Sequence, residues 1–302
     1  MPQLPSSTSA PGYVGRFAPT PTGPLHFGSL IAAVASYCDA RAAGGKWLLR
    51  MEDLDPPREM PGAARRIITQ MKAYGFEWDG ELVFQSNRLH AYHDAVSALQ
   101  AAGHLFWCSC SRSDLARNGS LVYPGHCRAF TSPRRDAAVR VRIAEDMTFF
   151  TDRVFGAQQE EVAKSVGDFV ILRRDGLFAY QLAVVVDDAF QGVTDVVRGA
   201  DLLDNTARQI VLQKMLGHST PRYLHLPLAL HADGTKLSKQ TLATEIPTPA
   251  DGRLVWKALE FLGQQPSAGL MTRTPRELLV WGIKNWRPEK IPARQGFVLM
   301  PD

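Results

Sequence analysis

The chain has 302 residues, of which 45% are hydrophobic, so it is long enough to bury a full core and is neither a disordered tail nor a mini-protein. Its longest apolar runs, such as 183–186 and 226–230, are far shorter than the roughly 18 residues that a membrane span needs. No charged segment followed by an apolar one stands near residue 1, so we expect an untargeted protein. The net charge of +4 permits a polyanionic partner without requiring one. We therefore expect a cytoplasmic protein, without a membrane partner, whose Pro- and Ser-rich residues 1–12 form a flexible lead-in.

The first predicted elements are a strand over 13–17, a Pro- and Gly-rich loop, a helix over 29–43 and a strand within KWLLRMEDLD. This order predicts a βαβ unit with a parallel sheet, whose ligands bind at the carboxyl ends of the strands. The loop, the helix N-terminus and Glu52 should therefore face one crevice. Asp53 and Asp55 also lie at this edge, but we interpret them as structural partners of arginines such as Arg50 or Arg58.

Two further helices are predicted over 62–74 and 89–102, before the character of the sequence changes at residue 105. The next segment contains strand-like runs in AAVRVRI and in DFVILRRDGLFAYQLAVVVDD, with a hairpin turn at Asp175-Gly176. The α/β pattern then resumes with a strand in VTDVVRG, a helix in LLDNTARQIVLQKMLG and a strand in RYLHLPLAL. Two helical stretches, near 254–262 and 275–286, follow.

These elements divide the chain into a core domain, an insertion and a short C-terminal part. The predicted boundaries are 13–104 and 194–245 for the two halves of the core, 105–193 for the inserted subdomain and 246–302 for a helical C-terminal region.

Three of the four cysteines lie close together in WCSCSRSDLARNGSLVYPGHCR, which favours a metal site in a reducing compartment. Cys108, Cys110 and Cys127 offer three soft ligands, and tetrahedral Zn²⁺ takes a fourth. His126 has the ligand chemistry expected for that position, although it is adjacent to Cys127. Buried reduced thiols are the alternative interpretation, and Cys38 is predicted to be a core residue of the first helix.

Two short motifs predict a nucleotide site. In PLHFGSL, His26 beside Gly28 at a strand-to-helix turn can place an imidazole donor and backbone N–H groups on phosphates. In KLSKQ, Lys236 and Lys239 flank Ser238 in a loop after a buried strand and can reach a triphosphate. Each motif alone is also compatible with an ordinary polar loop.

Together these motifs resemble the HIGH and KMSKS signatures of class I aminoacyl-tRNA synthetases. RFAPTPTGPLHFGS, LLRMEDLD, YQLAVVVDD and VVRGADLLDNT are similar, in the same order, to the glutamyl/glutaminyl branch. The resemblance implies a Rossmann-type α/β fold with an inserted zinc-containing subdomain and a short helical C-terminal region. It also implies ATP with Mg²⁺ and L-glutamate as substrates, and Tyr123 as the fourth ligand of one structural zinc ion.

The site residues implied by the resemblance fall into three groups. Those assigned to catalysis are His26, Gly28, Lys236 and Lys239, and ATP would also contact Ser29 and Ser238. The glutamate site would be lined by Arg16, Phe17, Ala18, Pro19, Thr20, Glu52, Tyr180 and Arg198. Independently of the resemblance, a substrate with a side-chain carboxylate calls for a cation such as Arg16 or Arg198, and its ammonium calls for an anion such as Glu52.

The strongest resemblance is to short paralogues of this branch that keep the catalytic domain without an anticodon-binding domain. It implies glutamyl-adenylate formation and transfer of glutamate to the cyclopentenediol of queuosine at the wobble position of tRNA(Asp), with a monomer binding the anticodon arm. The alternatives are a truncated conventional glutamyl-tRNA synthetase and a non-catalytic tRNA-binding paralogue. HFGS lacks the second histidine of HIGH, and Leu237 and Gln240 depart from KMSKS.

Overall fold

The structure is a computed structural model that describes residues 12–111, 113–114, 122–230 and 244–298. Its strands are β1 Val14–Phe17, β2 Lys46–Met51, β3 Val83–Phe84, β4 Leu105–Cys108, β5 Ala138–Val141, β6 Met147–Asp152, β7 Gly156–Glu161, β8 Val170–Leu172, β9 Asp195–Gly199, β10 Arg222–Leu226, β11 Leu228–Leu230 and β12 Gly296–Val298. Its α-helices are α1 Phe27–Ala42, α2 Ala63–Ala73, α3 Leu89–Ala101, α4 Val162–Ser165, α5 Tyr180–Phe190, α6 Thr206–Met215, α7 Gly252–Phe261 and α8 Pro275–Asn285.

Parallel strands form the centre of the fold, as the βαβ pattern predicted. One sheet has the order β1-β2-β3 and a second has the order β7-β6-β10-β9. The two sheets meet where the backbone N–H of Thr194 donates to the carbonyl of Val14 over 2.9 Å. β1 runs parallel to β2 and β9 runs parallel to β10, so the carboxyl ends of each pair lie together, where parallel α/β sheets bind their ligands.

The segment predicted as one inserted subdomain contributes to two sheets. β4, β5 and β8 form a separate antiparallel sheet, whereas β6 pairs in parallel with β10 of the core through Tyr223 and Asp152. The chain thus returns to the central sheet at Asp152 before it leaves again towards α5.

The strand expected in the second half of DFVILRRDGLFAYQLAVVVDD is wrong, because Tyr180–Phe190 is a helix. The predicted turn is present: Gly176 has a positive φ of 83°, and the backbone N–H of Arg173 donates to Leu177 over 2.8 Å. The β-branched run inside α5 favoured a strand, but a continuous apolar run is equally compatible with a helix buried on all sides. Gln181 through Asp188 are all buried in α5.

RYLHLPLAL, predicted as one strand, is two strands separated by Pro227. The missing proline N–H interrupts the ladder, so β10 pairs with β9 while β11 pairs with β12. The helix predicted from Leu202 starts as the 3-10 turn Ala200–Asn205 and becomes α-helical at Thr206.

The C-terminal helices α7 and α8 pack on α1 and belong to the main hydrophobic core. Cys38 is fully buried in that core, as predicted, and the indole N–H of Trp286 donates to Asp39 over 2.8 Å.

Within the described residues, no helix is both long and apolar enough to cross a lipid bilayer.

Candidate functional site

His26 caps the N-terminus of α1, which the sequence analysis expected to open near Ser29. Its Nδ1 accepts the backbone N–H of Ser29 over 3.3 Å. Because Nδ1 accepts, the neutral ring carries its proton on Nε2. The cap therefore places a ring N–H beside the first-turn N–H groups of Phe27 and Gly28, an arrangement suited to binding phosphate.

Arg16 and Glu52 lie at the ends of neighbouring strands and meet in one buried ion-pair cluster. Arg16 donates to both carboxylate oxygens of Asp188, at 3.1 and 3.4 Å, and Arg50 joins Asp188 to Glu52 at 2.8 and 3.2 Å. Burial raises the pKa of Glu52, and the charges of Arg50 and Arg16 offset this only in part. Burial would also raise the pKa of Asp188, but Arg16 and Arg50 hold it below its usual range.

Arg198 is a buried cation whose hydrogen-bond partners are all neutral. Only 6% of the residue is exposed, and among the described residues no carboxylate lies within ion-pair distance of it. Its acceptors are His225 Nε2 at 3.0 Å, Gln209 Oε1 at 2.8 Å, Thr206 Oγ1 at 2.9 Å, the Leu202 carbonyl at 3.2 Å and the Tyr180 hydroxyl at 3.5 Å. An unpaired buried charge is costly, so this arrangement suits a ligand that brings a negative charge.

Tyr180, at the start of α5, accepts from Arg198 over 3.5 Å, and charged residues of the predicted glutamate site act on its hydroxyl. Burial raises the pKa of its hydroxyl, the charges of Arg198 and Arg16 lower it, and those of Glu52 and Asp188 raise it further. The ring at the start of α5 thus stands among all four charges.

The other predicted site residues have varied positions. Phe17 packs its ring against Trp47 in the core, with centroids 6.3 Å apart, and Pro19 accepts the backbone N–H of Glu52 over 3.1 Å. Ala18 and Thr20 are half-buried on the same loop. Lys236, Ser238 and Lys239 lie outside the described residues.

The two aspartates that follow Glu52 have structural partners. Asp55 pairs with Arg58 over 2.5 Å, as predicted, whereas Asp53 accepts from the backbone N–H and hydroxyl of Ser86. The buried guanidinium of Arg50 pairs with Glu52 and Asp188, and not with Asp53 or Asp55.

Cys108, Cys110 and Cys127 form a cluster that is able to hold a metal ion. Their sulfur atoms lie within 4.8 Å of one another, and the Cys110 and Cys127 sulfurs are 3.7 Å apart. Burial raises the pKa of the Cys127 thiol, but hydrogen bonds from Tyr123, the Ser109 backbone and the other two thiols lower it overall to about 7. Burial and hydrogen bonds raise the pKa of the Cys110 thiol to about 11, so Cys127 is the more readily ionised of these two. Three soft sulfur ligands are a donor set that zinc prefers.

The two candidates for a fourth ligand differ in position. The Tyr123 hydroxyl lies 3.5 Å from the Cys108 sulfur and accepts the backbone N–H of Cys127 over 2.8 Å. Tyr123 is buried, whereas His126 is exposed and does not share the cluster.

Several residues of the site were missed by the sequence analysis. Asp188 was noted only as part of YQLAVVVDD, yet it orients Arg16. His225 and Gln209 accept from Arg198, and Asp152 contacts His225. Two adjacent carboxylates at the end of the most apolar run in the chain were the available signal, because buried acids need partners.

The comparisons with known proteins agree with this geometry. The family described as "tRNA synthetases class I (E and Q), catalytic domain" matches residues 13–249. The chain belongs to this family of aminoacyl-tRNA ligases, and the predicted fold class is confirmed. A crystal structure of glutamate-tRNA synthetase from Elizabethkingia anophelis superimposes with a TM-score of 0.78 at 22% identity, covering 96% of this chain and 68% of that one.

Curated relatives are much closer in sequence. A protein of Ectopseudomonas mendocina named glutamyl-Q tRNA(Asp) synthetase is 56% identical over 280 residues, which is 93% of this chain and 95% of the relative. A protein of the same name from Aromatoleum aromaticum is 54% identical over 292 residues, covering 95% of this chain and 92% of the relative. The predicted resemblance to short paralogues of the glutamyl/glutaminyl branch is therefore confirmed.

Proposed function

We propose that the protein activates L-glutamate with ATP and transfers it to the cyclopentenediol of queuosine at the wobble position of tRNA(Asp). The observation that carries the amino-acid assignment is Arg198, a buried guanidinium surrounded by neutral acceptors. The names of the near full-length relatives support the acceptor assignment.

The charges at the strand ends match glutamate. Arg16, Arg50 and Arg198 supply three positive charges there, and Asp188 and Glu52 supply two negative ones. L-glutamate has two carboxylates and one ammonium, so its net charge of about −1 complements the one positive charge that these five side chains have in excess. Glu52 is the anion for the ammonium, and Arg198 is the cation that has no carboxylate partner in the described part of the chain.

Activation requires one bond to form and one to break. An oxygen of the substrate α-carboxylate attacks the α-phosphorus of ATP, the new acyl–phosphate bond forms, and pyrophosphate leaves with the bridging oxygen. His26 Nε2–H and the N-terminal amides of α1 stabilise the charge that develops on the phosphates. Lys236 and Lys239 are proposed to act on the same phosphates, and Mg²⁺ would enter with ATP.

The first described residues after the KLSKQ motif lie against the start of HFGS, which supports a joint action of the two motifs on one nucleotide. Glu245 forms an isolated antiparallel β-bridge with His26, and the backbone N–H of Ile246 donates to the carbonyl of Leu25 over 2.9 Å. In the second step, a queuosine hydroxyl attacks the acyl carbon, the ester bond forms, and AMP leaves.

We propose that Cys108, Cys110, Cys127 and Tyr123 hold one structural zinc ion. The three sulfurs and the Tyr123 hydroxyl already converge, so the donor set fits tetrahedral Zn²⁺. When bound, the ion would cross-link β4 to the loop that carries Cys127.

Replacing Cys127 with alanine should remove the bound metal. Because two thiols and a phenol remain, we expect zinc content measured by inductively coupled plasma mass spectrometry to fall from about one ion per chain to near zero. Cys38→Ala is the matched control, because this thiol is buried in the core away from the cluster and should leave the zinc content unchanged.

Two further variants test the fourth ligand. Tyr123→Phe should lower zinc affinity, measured by competition with a chelator, whereas His126→Ala should not. The opposite pattern would assign the ligand to His126.

Amino-acid activation is tested by ATP–pyrophosphate exchange with each candidate amino acid. We expect exchange with glutamate and at least 100-fold lower kcat/KM with glutamine, because a neutral amide leaves the Arg198 charge unmatched. Exchange that favours glutamine, or no exchange with any amino acid, would contradict the assignment.

A further inference from the structure

We infer that Asp152 and His225 form a positioning pair that fixes the orientation of Arg198 in the substrate site. The inference rests on the proposed function, because it assigns Arg198 the task of binding a glutamate carboxylate. Among the described residues of the predicted site, His225 forms a hydrogen bond only with Arg198; it also contacts Thr206, and Asp152 lies behind it.

Strand register brings the three side chains together. Arg198 in β9 is paired with His225 in β10, and Tyr223 of β10 is paired with Asp152 at the end of β6. Residues at equivalent positions of adjacent strands project to the same face of a sheet, and so do residues two apart in one strand. The order along that face is therefore Asp152, His225, Arg198.

The hydrogen bonds determine the tautomer of His225. Arginine only donates, so His225 Nε2, which receives the Arg198 Nε–H over 3.0 Å, is unprotonated. The ring proton is then on Nδ1 and is donated to Asp152 Oδ2 over 2.7 Å. The Thr206 hydroxyl, 3.4 Å from Nε2, is compatible with the same tautomer, since it can donate to the lone pair.

Asp152 is restricted to the ionised form by its other contacts. Its Oδ1 accepts the backbone N–H groups of Val154 and Phe155, both at 2.9 Å, and its Oδ2 also accepts the backbone N–H of His225 over 3.1 Å. Every neighbour is a donor, so an asparagine would place an NH₂ group against at least one of them. Asp152 therefore holds the Nδ1–H tautomer in place, and this tautomer presents a lone pair to Arg198.

The environment keeps His225 neutral. Burial lowers the pKa of His225 and the charges of Arg198 and Arg16 lower it further, against the opposing effect of Asp152. His225 and Asp152 are both fully enclosed, so neither contacts substrate directly. They act through Arg198.

The first test separates positioning from general destabilisation by the kinetics of ATP–pyrophosphate exchange. His225→Leu and Asp152→Asn should each raise the KM for glutamate about tenfold while the KM for ATP stays at the wild-type value. His225→Gln, whose Oε1 occupies the place of Nε2 and accepts from Arg198, should restore most of the affinity for glutamate. His218→Gln is the matched control, because this half-buried histidine does not contact the site residues described above, and it should change neither constant.

A proportional rise in both KM values, or a His225→Gln variant as impaired as His225→Leu, would overturn the inference. Because Asp152 also holds backbone groups, its variant is compared with wild type by thermal unfolding before the kinetics are interpreted.

The second test does not depend on activity or on any variant. Nitrogen-15 NMR of the histidine side chains in the wild-type protein should show the His225 ring as the neutral Nδ1–H tautomer. An Nε2–H tautomer or a doubly protonated ring would overturn the inference. If the wild-type protein shows no exchange with glutamate, the proposed function fails, and the tautomer still decides whether the Asp152–His225 pair orients Arg198.

Discussion

Replacing Arg198 with methionine should lower kcat/KM for glutamate by about 100-fold or more, because a buried charge-assisted contact to the substrate carboxylate contributes about 3 kcal/mol. Arg198 has no carboxylate partner among the described residues, so the substrate is the anion expected to neutralise it. ATP–pyrophosphate exchange measures the loss.

Two variants serve as controls for this prediction. Arg198→Lys keeps the charge but loses the planar fork that reaches Gln209 and Thr206, so its kcat/KM should lie between those of wild type and Arg198→Met. Arg222→Ala removes an exposed arginine that pairs with Asp195 and should leave the KM for glutamate unchanged. Calorimetry should show ATP binding retained in all three variants. Near wild-type kcat/KM in Arg198→Met would contradict the role assigned to this residue.

Replacing His26 with serine should lower kcat about 100-fold with little change in the KM for glutamate. Nδ1 of the imidazole caps α1, and we propose that Nε2–H donates to the phosphates when ATP binds. Serine is a preferred N-cap residue, so the helix keeps its cap, but its short side chain cannot replace the ring donor. Steady-state exchange kinetics at saturating glutamate measure kcat.

His26→Ala separates the two functions of the imidazole. Alanine lacks both the cap and the donor, so thermal or denaturant unfolding should show a loss of about 1 kcal/mol relative to His26→Ser at similarly low kcat. A His26→Ser variant that turns over at the wild-type rate would show that the ring N–H does not act on the phosphates.

The sequence predicted the parts of the site that lie close to recognisable signals. A strand, a Pro- and Gly-rich loop and a helix start located His26, and the acidic end of the next strand located Glu52. Arg16 was assigned from the cation that a substrate carboxylate calls for and from the family resemblance. In the structure these residues lie at one edge of a parallel sheet, as the βαβ pattern implied.

The residues that hold the substrate-site side chains in position were not predictable in the same way. Arg198 was predicted, but Asp152 and His225 lie tens of residues away from it in the sequence, and they reach it only because β6 returns to the central sheet beside β10. Single-sequence patterns carry no register between distant strands, and the predicted insertion boundary placed Asp152 apart from the core. The β-branched run in α5 illustrates a related limit, since burial on every side removes the periodicity that distinguishes a helix from a strand.

The central claim, transfer of glutamate to queuosine, is tested most directly by labelling with radioactive glutamate and ATP. Three RNAs are compared: tRNA(Asp) carrying queuosine, tRNA(Asp) with guanosine at the wobble position, and tRNA(Glu). We expect label only on the first, lost after periodate oxidation of the diol and mapped to the anticodon fragment after ribonuclease digestion. Label on tRNA(Glu), or equal labelling of both forms of tRNA(Asp), would contradict the account and indicate esterification at the 3′ end.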